Sequence, residues 1–274
     1  KKREKDAGMK IIDKDKVKVV ILCGGVGTRL KEETEFKPKP LVHVGTKPII
    51  WHIMKIYSHF GYNNFVLCLG YRGGLIKEYF YNYEILNNDF TVVLGDHKNI
   101  QVHNAPPEMG WNITLVDTGL ETLKGARLKK VEKFIEGDIF LSTYGDGVAQ
   151  IDINKLIAFH KEHGKVATIS GVHPPSRFGE LIVEDNLVKE FSEKPQTSYG
   201  RINGGFFVFS REIFDYLEDN ESCDLEYGAL EVLAGNEQLM MYDGCGFWQC
   251  MDTMRDAGLL NKLWESGNAP WKVW

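Results

Sequence analysis

One short stretch restricts this chain more than any other. A run of apolar, mostly β-branched residues, Val17-Lys18-Val19-Val20-Ile21-Leu22-Cys23, breaks at once into Gly24-Gly25-Val26-Gly27-Thr28-Arg29-Leu30. The run has the length of a buried strand, and the glycines end it. A loop carrying Gly24, Gly25 and Gly27 has few side chains in the way, so its backbone N–H groups can approach a polyphosphate closely. Thr28 adds a hydroxyl and Arg29 a planar cationic fork. Lys39, ten residues past Arg29, stands between Pro38 and Pro40, which frame it rigidly and bring a second cation to the same place. The stretch reads as a nucleotide triphosphate cradle at the end of the first strand.

Two commoner glycine loops do not fit. A Walker loop requires Gly-Lys-Ser/Thr after its last glycine, and here the chain reads Gly27-Thr28-Arg29. The dinucleotide fingerprint requires a third glycine or alanine where Leu30 stands, and an acid at the end of the second strand, where Gly70-Tyr71 is found.

The 274 residues, 43% hydrophobic and 26% charged, describe an ordinary globular protein, and a net charge of −5 with no basic stripe argues against a nucleic acid partner. No apolar run approaches membrane-spanning length, and no signal-peptide core follows the basic start. The five cysteines are an odd number; Cys23 and Cys68 sit in strand-like runs as small hydrophobes, while Cys245 and Cys250 lack zinc spacing. A reduced, cytoplasmic protein is expected. Residues 1–16 alternate basic and acidic side chains and read as a flexible tail; without an initial Met, Lys1 is not taken as the native start.

Residues 17–274 read as a single domain in which strands and helices alternate. Helices are expected at Pro48 to Phe60, Leu75 to Tyr83, Ala126 to Phe134 and Ile151 to His163. Strands are expected at Phe65 to Leu69, Thr91 to Leu94, Ile113 to Val116, from Ile139, and at Val166 to Val172, with a loop at 95–111. This alternation predicts an α/β fold with a largely parallel sheet and helices on both faces. Phe178 to Glu184, Leu187 to Phe191 and Arg201 to Phe209 read as an antiparallel excursion. Helices at 211–219 and 224–234, strands Leu239 to Tyr242 and Phe247 to Met251, and a helix at 253–265 complete the chain.

Asp146, between Gly145 and Gly147 just past an apolar strand, faces the crevice where open parallel sheets bind ligands. From the residues alone, Asp252 followed by Thr253 reads as a helix cap. Arg127 and the Glu193-Lys194 pair read as solvated charges. His160 and His163, three apart on a helix with no third ligand, read as a solvated face. Trp248, Trp264, Trp271 and Trp274 crowd the C-terminus and suit either a core or a subunit interface.

Gly24 to Leu30 with Lys37-Pro38-Lys39-Pro40 resembles the signature of the sugar-phosphate nucleotidylyltransferases, also called nucleotide-sugar pyrophosphorylases, and the resemblance runs from about Val17 to Trp274. It implies a Rossmann-like, mostly parallel mixed sheet with a small sugar-binding antiparallel excursion. It is strongest to bacterial members that join CTP and glucose 1-phosphate into CDP-glucose and pyrophosphate. Leu22, Cys23, Gly24, Gly25, Val26, Gly27, Thr28, Arg29, Lys39, Thr122, Arg127 and Gly145 would then hold the nucleotide. Asp146 and Asp252 would hold Mg²⁺, reversing the cap reading of Asp252. Gly179, Glu193, Lys194, Asn203 and Gly204 would hold the sugar phosphate, with Lys194 on its phosphate. Arg29, Lys39, Lys194 and Asp146 would carry the catalysis. The chain departs from the family where Cys23 replaces the usual Ala, and where Lys124-Gly125-Ala126 replaces the commoner Thr-Gly-Gly before Arg127. The resemblance also implies a homo-oligomer that supplies CDP-sugars for lipopolysaccharide O-antigen. Alternatives left open are a sister enzyme using dTTP, UTP or ATP or another sugar 1-phosphate, and a non-catalytic sugar-nucleotide sensor. A metal-dependent glycosyltransferase is disfavoured because Gly145-Asp146-Gly147 stands where Asp-x-Asp would be needed.

Overall fold

Alternation along the first strand sets both layers of the molecule. In β1 (Lys18–Cys23), Val19, Ile21 and Cys23 point into one hydrophobic cluster, while Val20 and Leu22 point into a second on the opposite face. A strand buried on both faces reads as one apolar run, which is why its sequence stands out. The computed structural model describes residues 13–95, 99–104, 108, 110–174, 179–184, 187–193 and 200–274.

The other strands of the main sheet are β2 (Asn64–Leu69), β3 (Asn112–Asp117), β4 (Ile139–Tyr144), β5 (Ala167–Val172), β6 (Ile202–Ser210) and β7 (Leu239–Tyr242). Their order is β7-β5-β6-β4-β1-β2-β3. Neighbours run parallel except β6, which is antiparallel to both β5 and β4. The mostly parallel mixed sheet expected from the sequence is therefore present. On the first face pack α1 (Ile49–His59), α4 (Ile153–His163) and α5 (Met254–Glu265), through residues such as Ile53, Leu156 and Leu260. On the second face α3 (Lys124–Lys130) packs through Leu128, together with Phe214 and Leu230. The remaining long helix is α2 (Gly73–Tyr81). Helix α1 starts after Pro48 and buries Ile49, Ile50, Ile53, Met54, Ile56 and Tyr57, the stripe that helical spacing dictates.

Several expectations change. The stretch from Arg201 belongs to the main sheet as β6, and only Gly179–Glu184 and Leu187–Glu193 form a separate antiparallel pair. The reason is burial: Phe206 and Val208 enter one cluster, Phe207 and Phe209 the other. The loop at 95–111 contains a short strand, Ile100–Val102, paired with Phe90–Val92. The expected helices at 211–219 and 224–234 are a 3-10 turn at Arg211–Tyr216 and a π-helical turn at Leu225–Leu230 leading into a helix at Glu231–Gly235. Lys14–Lys16 form a 3-10 turn, and the Lys14 ammonium donates to the Phe60 carbonyl at 2.7 Å. His160 is buried, not on a solvated face, and its ring lies 2.8 Å from the Thr168 hydroxyl and 3.1 Å from that of Ser210. Trp271 is fully buried and stacks on Phe247, so it is core. No helix among the described residues is long and apolar enough to cross a membrane.

Candidate active site

The end of β1 is tied to its neighbours before the glycines begin. Gly145 donates its N–H to the Leu22 carbonyl at 3.1 Å, and Tyr71 donates to Gly24 O at 3.2 Å. Gly27 has φ +69°, the left-handed region where a side chain is strained. Thr34 then fastens the far side of the loop, its hydroxyl 3.1 Å from Gly27 O and 2.9 Å from Leu30 O. Lys39 opens a 3-10 turn whose preceding residue, Pro38, is extended at φ −67°, so its backbone direction is fixed.

Asp146 and Asp252 are far apart in sequence and adjacent in space. The segment Gly147–Ile151 pairs antiparallel with Cys245–Cys250, setting Cys250 opposite Gly147, and Met251 donates to Asp146 O at 2.8 Å. Both carboxylates thus leave the same end of this ladder. Thr253, not Asp252, caps α5: its hydroxyl accepts from Asp256 N at 3.2 Å, and the Asp256 carboxylate accepts from Thr253 N at 2.9 Å. The cap reading of Asp252 is corrected by one residue, and its side chain is free to face the glycine loop.

There the Lys39 ammonium donates to both acids, at 2.6 Å to Asp146 and 2.5 Å to Asp252, and Arg29 reaches Asp252 at 2.9 Å. Burial alone would lower the Lys39 pKa, but the Asp146 and then the Asp252 carboxylates overcome it and hold it above the usual lysine value. Burial likewise works against the Asp252 charge, and Lys39 followed by Arg29 brings its pKa below the usual carboxylate range. Lys39 is nearly buried, whereas Arg29 is 69% exposed in its side chain, so the first pair is shielded from water and the second is open to it.

Arg127 is also buried, and its protons go to the protein. Nη1 donates to Leu69 O (3.0 Å), Thr118 Oγ1 (2.7 Å) and Gly119 O (2.8 Å), and Nη2 to Gly24 O (3.3 Å) and Leu120 O (3.1 Å). A Cβ on Gly24 would fall 2.1 Å from the Arg127 guanidinium carbon, so only glycine fits above it. Thr122 is similarly engaged: its hydroxyl accepts from Lys130 at 3.2 Å.

All of the nucleotide and metal residues expected from the sequence line one cleft of about 700 Å³, and Asn203 and Gly204 line it with them. Gly179 and Glu193 lie in the antiparallel pair, whose side chains are not described, and Lys194 lies outside the described residues. The structure adds Pro40, Tyr144, Glu226, Trp248 and Cys250 to the lining. Among the described residues no group of three or more His, Cys, Asp or Glu gathers to hold a metal. Asp146 and Asp252 nevertheless offer two hard oxygens with a cation already between them. That donor set suits a divalent ion that takes its other ligands from phosphate and water.

The sheet, the glycine loop at its carboxyl edge and the cation-bridged acids define an α/β protein built to hold a polyphosphate. The chain belongs to the nucleotidyl transferase family, whose model matches residues 18–269. It is 49% identical to glucose-1-phosphate cytidylyltransferase of Salmonella typhi over 259 residues, which cover 94% of this chain and 100% of that one. It is 32% identical to mannose-1-phosphate guanyltransferase of Saccharomyces cerevisiae over 250 residues, 88% of this chain and 62% of the yeast protein. In fold it is similar to the inositol-1-phosphate CTP transferase from T. maritima, with a TM-score of 0.60, 18% identity, and coverage of 90% and 96%.

Proposed function

We propose that this protein joins CTP and glucose 1-phosphate to give CDP-glucose and pyrophosphate. The observation that carries the reading is the Lys39 ammonium held between Asp146 and Asp252 at the mouth of the glycine loop. It sets a cation and two hard acids where the phosphates of a nucleotide on that loop would lie. The 49% relative over nearly the whole chain supports CTP and glucose 1-phosphate as the substrates.

An oxygen of the sugar phosphate bonds to the α-phosphorus, the bridging bond to the β-phosphate breaks, and pyrophosphate leaves with that electron pair. Such a step needs alignment and compensated charge rather than a protein nucleophile. The backbone from Gly24 to Gly27 receives the phosphates, Arg29 and Lys39 neutralise them, and Asn203 and Gly204 bound the sugar end. Asp146 and Asp252 would hold Mg²⁺, which when bound draws phosphate oxygens together and offsets their charge. Lys194 and Glu193 are proposed for the incoming sugar phosphate on the resemblance alone. The same reading places the enzyme in the cytoplasm as a homo-oligomer that provides CDP-sugar for surface polysaccharide.

The test is pyrophosphate release with Mg²⁺ and glucose 1-phosphate, with CTP, dTTP, UTP, ATP and GTP supplied separately. A strong preference for CTP is the expected result. Preference for another nucleotide would keep the chemistry and discard CTP, and no release with any of them would refute the reading.

A further inference from the structure

The segment that leads into Arg127 puts a fourth cation in the cleft, beside Arg29, Lys39 and Arg127, one that the function above does not use. Lys124 is the first residue of α3, one turn before Arg127, and it stands at the chain's departure from the commoner Thr-Gly-Gly. Its side chain is 42% exposed, its ammonium pairs with Glu226 Oε1, and it lies 5.3 Å above the ring of Tyr144. An exposed Lys–Glu pair is ordinarily worth little and holds nothing in place. This one is built in. Tyr144 donates its hydroxyl to the same Glu226 oxygen at 2.6 Å and accepts from Asn203 Nδ2 at 2.9 Å, and Asn203 Oδ1 accepts from Gly205 N at 2.8 Å. The carboxylate is thus fixed by the ends of β4 and β6, and it projects from a π-helical turn, a geometry that recurs at functional sites. Lys124, Tyr144, Asn203 and Glu226 all line the same cleft as Lys39.

The contrast with Arg127 decides what Lys124 does. Moving the Arg127 guanidinium towards a ligand would orphan buried carbonyls, which is costly. Moving the Lys124 ammonium costs one partly exposed ion pair, and Tyr144 continues to satisfy the Glu226 oxygen. We propose that Lys124 is a substrate-binding residue: in the free protein it rests on Glu226, and with substrate bound it transfers to a phosphate oxygen, Tyr144 keeping the Glu226 oxygen satisfied once the ammonium leaves. The identity of that phosphate, on the nucleotide or on the sugar, rests on the function proposed above; the exchange itself does not.

Two variants with opposite expected signs test this. Lys124→Thr removes the cation and should raise KM for one of CTP and glucose 1-phosphate roughly tenfold, the loss of one charge-assisted hydrogen bond at a half-exposed site. The substrate affected identifies the phosphate. Glu226→Gln keeps an acceptor for Tyr144 but frees Lys124, so the same KM should fall, by roughly twofold to fivefold. A merely structural pair would make both variants worse or leave both KM values alone, and either result overturns the proposal. Calorimetric titration with inorganic pyrophosphate and, separately, with inorganic phosphate keeps the test apart from the identity of the substrates. At least one of the two anions should bind more weakly to the Lys124→Thr protein and more tightly to Glu226→Gln, whether or not CTP and glucose 1-phosphate are turned over. Equal affinity of wild type and both variants for both anions would refute a phosphate role.

Discussion

Replacing Lys39 with Met tests the electrostatics of the cleft directly, because Met fills most of the buried stem and removes only the charge. Both carboxylates lie within hydrogen-bond distance of the one nitrogen, at 2.6 and 2.5 Å. Without the ammonium, two like charges no more than about 5 Å apart face each other, a repulsion of about 3 kcal/mol at an effective dielectric of 20. Arg29 remains on Asp252, but a side chain that open to solvent offsets only about 1 kcal/mol. The net loss of about 2 kcal/mol corresponds to a fall in Tm of roughly 4–8 °C for a chain of this size. The same acids, relieved of their ammonium, should accept a divalent cation without nucleotide. Thermal melts of both proteins with and without millimolar Mn²⁺ or Mg²⁺ read both effects. The expected pattern is a low Tm for Lys39→Met that the cation restores, with little change in wild type. If the variant melts like wild type and ignores the metal, the bridge is not holding the acids together and the metal assignment to Asp146 and Asp252 loses its footing.

Asp146→Asn should lower turnover by roughly two to three orders of magnitude, with an unchanged circular dichroism spectrum; wild-type turnover would remove Asp146 from the chemistry. Arg127→Lys offers three protons where five acceptors now stand, so urea denaturation should show a loss of roughly 3 kcal/mol. Unchanged stability with a raised KM for CTP would instead make Arg127 a direct phosphate contact. Burial pushes the pKa of both His52 and His160 down to about 4 from an ordinary 6.5. The unfolded chain then binds protons that the folded one refuses, so stability falls as pH drops below 6.5. The loss reaches about 3 kcal/mol per histidine by pH 4. Melting temperatures that stay flat from pH 7 to 5 would contradict this, and His160→Gln should flatten half of the slope.

What the sequence disclosed follows from where its signals reside. The first strand, the glycine loop and Lys39 were legible because glycine and proline punctuate the backbone and an apolar run buried on both faces is conspicuous. The same rule applied to Phe206-Phe207-Val208-Phe209 identifies a central strand, yet its neighbours at 179–193 drew it into the hairpin. Residue types alone do not choose the cap between Asp252 and Thr253, because Asp and Thr cap equally well; the choice of Thr253 depends on Asp256 closing the reciprocal pair. Arg127 was unreadable as a buried strut, since four of its five partners are backbone carbonyls, which leave no mark in a sequence. Glu226 carries no such signal, because an acid inside a stretch that reads as a helix, 224–234, looks like an ordinary solvated charge, and the π-helical turn that carries it leaves no mark of its own in the sequence.

The cations of the cleft separate by what holds them. Arg29, Lys39 and Lys124 rest on carboxylates, whereas Arg127 rests on carbonyls and a hydroxyl. Unpaired positive charges crowded into a half-buried cleft would repel one another in the absence of substrate, so each needs a partner at rest. A carboxylate partner can be left behind because something else can satisfy it. Tyr144 already donates to Glu226, and a divalent ion suits Asp146 and Asp252. A buried carbonyl left behind has no such substitute. The carboxylate-held cations are therefore the ones able to change partners when phosphates arrive. The carbonyl-held one keeps Gly24 in place while they do so.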